Sequence, residues 1–247
     1  MNLRTEEVVY QASGVPLRGF LAWDGEQEKK RPGVLVVHEW WGHDEQARAR
    51  ARQLAEAGYA AMAVDMYGDG KTAKDPNEAG KLMKGVMSDL KLMRTRFEAA
   101  REVLAGRPET DGERLAAIGY CFGGAVALQM ARLGLELAAV ASFHPGSLAP
   151  AQRAQRGVYR AKTLVCLGAD DPFVPQEERD AFRKEMNEAA AECELVEYPG
   201  VVHGFTVRAA TARGKTYGLP LAHDAKAQCD SWSRLERLLE RAFARKP

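Results

Sequence analysis

Five side chains capable of nucleophilic or acid–base chemistry each lie in the loop just after a stretch of strand-like sequence. They are Glu39, Cys121, His144, Asp171 and His203. In parallel α/β sheets the functional groups gather beyond the carboxyl ends of the strands, so this shared position predicts a common site. A thiol, an imidazole and a carboxylate together support covalent acyl transfer, in which a thiolate attacks a carbonyl carbon and histidine moves the protons.

Cys121 stands at the centre of the motif G-Y-C-F-G-G over residues 119–124, which fits the nucleophile-elbow pattern G-x-S-x-G with cysteine in place of serine. The glycines suit a strained strand-to-helix turn, where side chains would collide with the neighbouring strand and helix. The backbone N–H of Phe122 is then the expected oxyanion donor. The alternative is a glycine-rich turn around a buried structural cysteine. A dinucleotide loop is disfavoured because the glycines do not fit G-x-G-x-x-G.

His203 is the candidate base and acid, because imidazole exchanges protons near neutral pH. Among the five histidines only His203 has the chain order nucleophile, acid, histidine that this class of sheet uses. We predict structural roles for His38, His43, His144 and His223, although His144 also faces the edge of the predicted site. The alternative for His203 is a loop histidine bonded to the backbone.

Two adjacent carboxylates, Asp170 and Asp171, compete for the role of orienting the imidazole. Residues 168–175 fit the frame G-x-x-D-x-x-V-P, in which Asp171 is the acid. A carboxylate aimed at the ring fixes its tautomer and stabilises the imidazolium. We predict this role for Asp171, and turn or loop hydrogen bonding for Asp170.

Glu39 follows an apolar strand and precedes Trp40 and Trp41, which suggests a buried carboxylate. Near a thiol, such a carboxylate would compete with histidine for the thiol proton. The alternative is a loop glutamate in a surface salt bridge. The backbone N–H of Trp40 is the expected second oxyanion donor. Trp41 and Tyr67 are candidates for an aromatic substrate pocket, with ordinary core packing as the alternative.

Alternating strand-like and helix-like segments carry these residues. The predicted strands cover residues 6–11, 15–23, 33–37, 59–64, 115–118, 137–143, 163–167 and 193–198. The predicted helices are one capped by Asp44 that ends near Ala57, then 77–104 with a break near Gly85, 125–133, 176–190 and 219–244. This alternation predicts an α/β chain with a mainly parallel, doubly wound sheet and helices on both faces. No repeat or linker divides it, so we expect a single domain over residues 1–247.

Composition excludes several classes of function. The 35 basic and 34 acidic residues give a net charge of +1, which disfavours a nucleic-acid surface. No apolar run approaches the ~18 residues of a membrane-spanning helix, and the N-terminus lacks the apolar core of a signal peptide. The four cysteines are scattered and predict neither a metal site nor a disulfide framework. We therefore expect a cytoplasmic protein without membrane or nucleic-acid partners.

Five motifs in this order resemble the dienelactone hydrolase family of α/β-hydrolases. They are V-V-H-E-W-W-G at 36–42, V-D-M-Y-G at 64–68, G-Y-C-F-G-G at 119–124, D-P-F-V-P at 171–175 and H-G-F at 203–205. The resemblance spans nearly the whole chain and implies the α/β-hydrolase fold. It implies that Cys121 is the nucleophile, His203 the base and acid, and Asp171 the orienting carboxylate. By the same resemblance, Glu39 holds the resting thiol and moves aside when substrate binds.

The resemblance also implies a substrate class. The family hydrolyses an enol-lactone that bears a carboxylate, carboxymethylenebutenolide, without metal or cofactor. Members that act on this lactone bind its carboxylate with arginines. One of these arginines is expected shortly after the catalytic histidine, and here Arg208 is the nearest arginine after His203. The other is expected in the helical segment after the fourth predicted strand, where only Lys81 and Lys84 lie nearby. Lysine lacks the planar fork that grips a carboxylate, so ester or lactone hydrolysis is expected more firmly than dienelactone as substrate.

The expected partner is thus a small-molecule ester or lactone, and the expected assembly is a monomer or a homodimer. One alternative is a broad-specificity carboxylesterase or thioesterase, which differs in its relative rates on thioesters, aryl esters and lactones. Another is a non-enzymatic scaffold of the same fold, with Cys121 as a redox-reactive thiol.

Overall fold

A computed structural model describes residues 1–26 and 29–244. Within these residues the chain forms eight strands and seven helices, and the strands make one mostly parallel sheet. The strands are β1 (Leu3–Ala12), β2 (Val15–Asp24), β3 (Arg31–Val37), β4 (Ala60–Val64), β5 (Thr110–Tyr120), β6 (Ala139–Phe143), β7 (Lys162–Gly168) and β8 (Cys193–Tyr198). The helices are α1 (Glu45–Glu56), α2 (Pro76–Met87), α3 (Leu90–Ala105), α4 (Phe122–Arg132), α5 (Gln176–Glu188), α6 (Ala210–Tyr217) and α7 (Ala225–Phe243). The predicted α/β class is confirmed.

The chain divides into two compact units, residues 1–118 and the described residues from 119 onward. In the first unit the strand order is β1-β2-β4-β3-β5. β1 and β2 form an antiparallel hairpin whose two turn residues, Ser13 and Gly14, have φ angles of 54° and 72°. Two positive φ angles are typical of the turn whose twist matches paired strands. β3 and β4 pair in parallel and are almost entirely buried, as expected for strands covered on both faces.

The second unit contains the parallel strands β6, β7 and β8 in that order, and α4 to α7. In the β6–β7 register the last residue of β6, Phe143, pairs with Cys166, and at the end of β7 Gly168 pairs with Tyr198 of β8. The loops that follow these three strands therefore leave the sheet at the same edge, which is where an α/β sheet builds its site.

The predicted helical stretch over 77–104 is two helices, and the break predicted near Gly85 lies three residues later, at Ser88 and Asp89. α2 ends at Met87, and α3 begins at Leu90 after its N-cap Asp89, whose side chain accepts the N–H of Leu92. Gly85 lies inside α2. A helix tolerates one exposed glycine for about 1 kcal/mol, whereas a capping aspartate starts a new helix.

The predicted closing helix over 219–244 is wrong at its start. α7 begins at Ala225, where the side chain of Asp224 caps it by accepting the N–H of Ala227. The sequence analysis missed α6, which ends at Gly218 in the left-handed conformation with φ 64°. Residues 245–247 lie outside the described part of the chain. The expectation of a single domain stays a prediction.

Candidate active site

Cys121 occupies a strained turn between β5 and α4. Its φ of 53° lies in the left-handed region, which is unusual for a residue other than glycine. A β-carbon at Gly119 would lie 2.0 Å from the carbonyl oxygen of Gly123, and one at Gly124 would lie 2.4 Å from Oγ of Ser142. Gly119 therefore requires glycine, because its contacts are with backbone atoms, whereas a side chain at Gly124 would force Ser142 to move.

Backbone hydrogen bonds hold Cys121 in this conformation. Its N–H donates to the carbonyl of Phe143 at 3.0 Å, and its carbonyl accepts from the N–H groups of Gly124 at 3.0 Å and Gly146 at 3.1 Å. The cysteine is 9% exposed, so a small molecule has limited access to it. Phe122 is the first residue of α4, and its N–H therefore belongs to the positive end of that helix.

His203 and Asp171 form a buried pair. Nδ1–H of His203 donates to Oδ2 of Asp171 at 2.7 Å, and the other carboxylate oxygen, Oδ1, accepts the N–H of Phe173 at 2.9 Å. The side chains of His203 and Asp171 are 4% and 0% exposed, so water does not compete for this bond. The contact sets the tautomer, because a proton on Nδ1 leaves Nε2 to act as the base.

Nε2 of His203 is buried and has no hydrogen bond of good geometry within the described residues. Burial disfavours a charged imidazole, but the charge of Cys121 and the hydrogen bond to Asp171 outweigh that effect and raise the pKa of His203 to about 10. Cys121 is therefore close enough to His203 to stabilise an imidazolium. Catalytic contacts of this kind are often loose without substrate and tighten in the complex.

The competing carboxylate, Asp170, is exposed, and its backbone N–H donates to the carbonyl of Val201 at 3.0 Å. The turn or loop role of the Asp170 side chain stays a prediction. No hydrogen bond is found between Asp170 and His203, whereas Asp171 bonds the ring directly.

Two further side chains border His203. The ring of His144 lies 5.0 Å from the His203 ring, and Nε2 of His144 bonds Oγ1 of Thr206 at 2.8 Å. His144 also has a φ of 36°, so the loop after β6 is strained. The Phe173 ring meets the His203 ring edge-on at 4.9 Å and is 41% exposed. The sequence analysis missed Phe173, although its place two residues after Asp171 could have indicated it.

In the first unit, the loop after β3 is fixed by His38. Its Nδ1–H donates to the carbonyl of Glu39 at 2.6 Å, and its Nε2 accepts the N–H of Met66 at 3.2 Å. Burial lowers the pKa of His38 to about 4, so the ring is neutral. The predicted structural role of His38 is consistent with these contacts. Glu39 is 6% exposed, which excludes a surface glutamate.

The aromatic residues proposed for the pocket pack in the same unit. The Trp40 and Trp41 rings lie 5.2 Å apart, and the hydroxyl of Tyr67 donates to the carbonyl of Trp40 at 3.0 Å. Asp65 anchors the loop that carries Tyr67 by accepting four backbone N–H groups, from Arg18, Tyr67, Gly68 and Gly70. Trp41 and Tyr67 are buried, and Trp40 is half-buried.

Arg208 lies exposed in the turn before α6. Within residues 1–26 and 29–244, no group of three or more His, Cys, Asp or Glu side chains is arranged to hold a metal ion. In the same part of the chain, no helix is both long and apolar enough to cross a membrane. The expected absence of cofactor and metal, the cytoplasmic location and the oligomeric state stay predictions.

The sequence model of the dienelactone hydrolase family matches residues 17–243. The chain belongs to the dienelactone hydrolase family. A relative from Aquifex aeolicus, named "Putative carboxymethylenebutenolidase", is 27% identical over 232 residues, which are 91% of this chain and 93% of the relative. This membership makes the protein a carboxylic ester hydrolase, so the non-enzymatic scaffold is set aside.

Solved structures agree. The structure named "m3DLH" is 37% identical, covers 99% of this chain and 100% of its own, and superposes with a TM-score of 0.93. A dienelactone hydrolase-like promiscuous phosphotriesterase from metagenomic libraries is 33% identical with a TM-score of 0.89, and covers 99% of this chain and 100% of its own. The predicted α/β-hydrolase fold is confirmed.

Proposed function

We propose that this family member hydrolyses lactones and activated carboxylic esters through a Cys121–His203–Asp171 triad and a covalent acyl-enzyme. The observation that carries the proposal is the buried His203 ring, bonded to Asp171 at 2.7 Å on one nitrogen and under the electrostatic influence of Cys121. A nucleophile, a base and a group that orients the base are the three parts this chemistry needs.

In the first half-reaction, Nε2 of His203 takes the proton of Cys121 and the thiolate sulfur bonds to the substrate carbonyl carbon. The carbonyl π electrons move to oxygen and form a tetrahedral oxyanion. This intermediate collapses to a thioester and expels the alkoxide or enolate, which takes the proton from His203. A lactone or activated ester suits a thiolate because its leaving group departs easily.

In the second half-reaction, His203 removes a proton from water and the hydroxide attacks the thioester carbon. The carbon–sulfur bond then breaks, the carboxylic acid leaves, and the thiolate is restored beside the imidazolium. Asp171 stabilises the imidazolium in both halves and keeps its proton on Nδ1.

The N–H groups of Phe122 and Trp40 are proposed to hold the oxyanion. Support for Phe122 is its place at the start of α4, and support for Trp40 is its place in the H-E-W-W-G motif. Loss of one such donor typically costs about 10²- to 10³-fold in rate. Glu39 is proposed to hold the resting thiol until substrate binds, a role supported by its burial and by that motif. Trp41, Tyr67 and Arg208 remain proposed substrate contacts.

The test is steady-state hydrolysis of p-nitrophenyl acetate and of a dienelactone by wild type and Cys121→Ala. We expect the variant to lose at least about 10⁴-fold in kcat on both substrates, since removing a triad nucleophile has effects of this size or larger. The matched control is Cys229→Ala, because Cys229 is a free, exposed cysteine on α7 and should leave the rates unchanged. Wild-type rates in Cys121→Ala would show that the elbow cysteine is structural.

The same assay separates the alternatives. The ratio of wild-type rates on lactone, aryl ester and thioester distinguishes a lactonase from a general carboxylesterase or thioesterase. A phosphotriester is a second candidate substrate, because the 33% identical neighbour is named a promiscuous phosphotriesterase. There Cys121 would form a bond to phosphorus and expel an aryloxide. Paraoxon turnover that Cys121→Ala abolishes would support this second activity.

A further inference from the structure

Arg179 lies in the first turn of α5 and is only 5% exposed. This is an unfavourable place for a cation, because the N-terminal turn of a helix carries the positive end of the helix dipole. Burial adds a desolvation cost that a charged group recovers only through specific partners. The partners of Arg179 therefore indicate why the residue is there.

The guanidinium donates all five of its N–H groups in hydrogen bonds. One goes to a carboxylate oxygen of Glu197 on β8, and the other four go to backbone carbonyls at the end of β7 and in the loop between β7 and α5. These four acceptors are the carbonyls of Val174 at 2.8 Å, Ala169 at 2.9 Å, Asp171 at 3.3 Å and Gly168 at 3.4 Å.

This loop is the one that carries the proposed acid of the triad. Arg179 binds the backbone carbonyl of Asp171 and does not touch its carboxylate, whose oxygens serve His203 and the N–H of Phe173. We propose that Arg179 is a positioning residue that holds the backbone of residues 168–174 so that the carboxylate of Asp171 faces Nδ1 of His203. The inference deepens the proposed triad and rests on it.

Binding these four carbonyls requires the planar guanidinium of arginine. Four carbonyls around one side chain require donors in fixed, divergent directions, which a guanidinium supplies and an ammonium does not. With lysine at this position, several of the four carbonyls would lose their partners and the loop would relax. A misplacement of about 1 Å at a catalytic group is enough to cost about 10²-fold in rate.

A relaxed loop would change the pKa of His203. In the second unit the titratable groups described around this ring are Cys121, Asp171 and His144. A longer bond to Asp171 stabilises the imidazolium less, so the pKa of His203 moves from about 10 back towards 6.5. His203 then loses its added proton at a lower pH, so the alkaline limit of activity also falls.

The experiment compares Arg179→Lys with Arg183→Met. Arg183 is the matched control, because it also pairs with Glu197 but is 41% exposed and makes no bond to the loop carbonyls. Two quantities are measured against pH, kcat/KM on p-nitrophenyl acetate and the rate of iodoacetamide alkylation of Cys121. Peptide mass spectrometry assigns the alkylation to Cys121, since three other cysteines are free.

We expect Arg179→Lys to lower kcat/KM by about 10- to 100-fold and to move the alkaline limb down by about one pH unit or more. The pH profile of Cys121 alkylation should change in parallel. Arg183→Met should retain both profiles. In an Asp171→Asn background Arg179→Lys should add little, because a residue that acts through Asp171 has nothing left to position.

An unchanged pH profile in a folded Arg179→Lys would overturn the inference, as would an equal shift in Arg183→Met. If Arg179→Lys does not fold, Glu197→Gln weakens the anchor of Arg179 and should move the alkaline limb in the same direction by less; no movement overturns the inference. A failure of the proposed triad is distinguished by a separate result, namely that Cys121→Ala keeps its hydrolytic activity.

Discussion

Two buried histidines, one in each unit, have pKa values shifted in opposite directions. His38 follows β3 in the first unit, and His203 follows β8 in the second. Burial lowers the pKa of His38 to about 4, while Cys121 and Asp171 raise the pKa of His203 to about 10 against the same effect of burial. Both rings lie after strand ends, so position alone does not make a histidine a candidate for catalysis.

The difference comes from what each ring nitrogen contacts. Both ring nitrogens of His38 bond uncharged backbone groups, one as donor and one as acceptor. Only a neutral ring can make this pair of hydrogen bonds. His203 gives one nitrogen to a carboxylate and has a thiol near the other side. A neutral, fully bonded histidine fixes a loop, whereas a histidine with acidic neighbours can hold and release a proton.

The largest expected effect concerns the backbone that brings Cys121 to His203. Gly119→Ala should destabilise the protein by about 4 kcal/mol or more, because the added carbon meets the Gly123 carbonyl oxygen at 2.0 Å and carbonyl carbon at 2.1 Å. Backbone atoms cannot rotate away from such a contact as a side chain can. Urea unfolding followed by circular dichroism measures the change.

The control for that substitution is Gly85→Ala in the first unit. Nothing lies within 4 Å of a β-carbon at Gly85, and the residue is inside α2. Alanine there should stabilise the protein by about 0.5 to 1 kcal/mol. Equal stability of the two alanine variants would show that the elbow does not require glycine at position 119.

The next effect contrasts the two histidines through the pH dependence of stability. His38 has a folded pKa below its unfolded value of 6.5, so its contribution to stability is complete above pH 6.5 and is lost as the pH falls towards 4. His203 has a folded pKa above 6.5, so its contribution is complete below pH 6.5 and is lost as the pH rises towards 10.

Urea midpoints at pH 4, 6.5 and 10 for wild type, His38→Gln and His203→Gln measure these contributions. We expect His38→Gln to remove part of the acid-side loss and leave the alkaline side unchanged, and His203→Gln to do the reverse. Differences between the three proteins report each histidine together with the groups bonded to it. A His38→Gln variant with the full acid-side loss would contradict the assignment of a buried neutral ring.

The smallest effect concerns the space beside the thiol. A β-carbon at Gly146 would lie 3.8 Å from Sγ of Cys121 and 3.8 Å from the backbone N of Phe122. These are ordinary van der Waals distances, so Gly146→Ala should change stability by less than about 1 kcal/mol. The methyl group should lower kcat/KM about tenfold on a bulky ester and less on p-nitrophenyl acetate, equivalent to about 1.4 kcal/mol at the transition state. Equal loss on both esters would argue against steric restriction at this position.

Much of the second unit could be predicted because its signals are local. Glycine at position 119 is demanded by a contact with Gly123, four residues later, and β8 has the predicted bounds Cys193–Tyr198. Asp171 and not Asp170 bonds His203, as the frame around it indicated. Local chemistry also decides where α3 begins, at the cap Asp89, which the sequence analysis did not consider when it placed the break near Gly85.

Arg179 was missed because its partners are distant or are backbone groups. Its side chain bonds carbonyls five to eleven residues earlier and a carboxylate eighteen residues later. One signal was available, namely an arginine in the first turn of a predicted helix, against the helix dipole. The ring contact of Phe173 with His203 was missed for the same reason, since it joins two separate loops.

The sequence by itself determined the fold class, the elbow and the candidate nucleophile, acid and base, because glycine spacing, strand periodicity and the order of residues along the chain are local properties. Only the tertiary structure decided which groups His38 and His203 bond, which of these two rings is neutral, and which arginine bonds the acid loop. Those properties depend on burial and on partners brought together from separate loops. A buried imidazole takes its charge from its neighbours, and the folded chain supplies them.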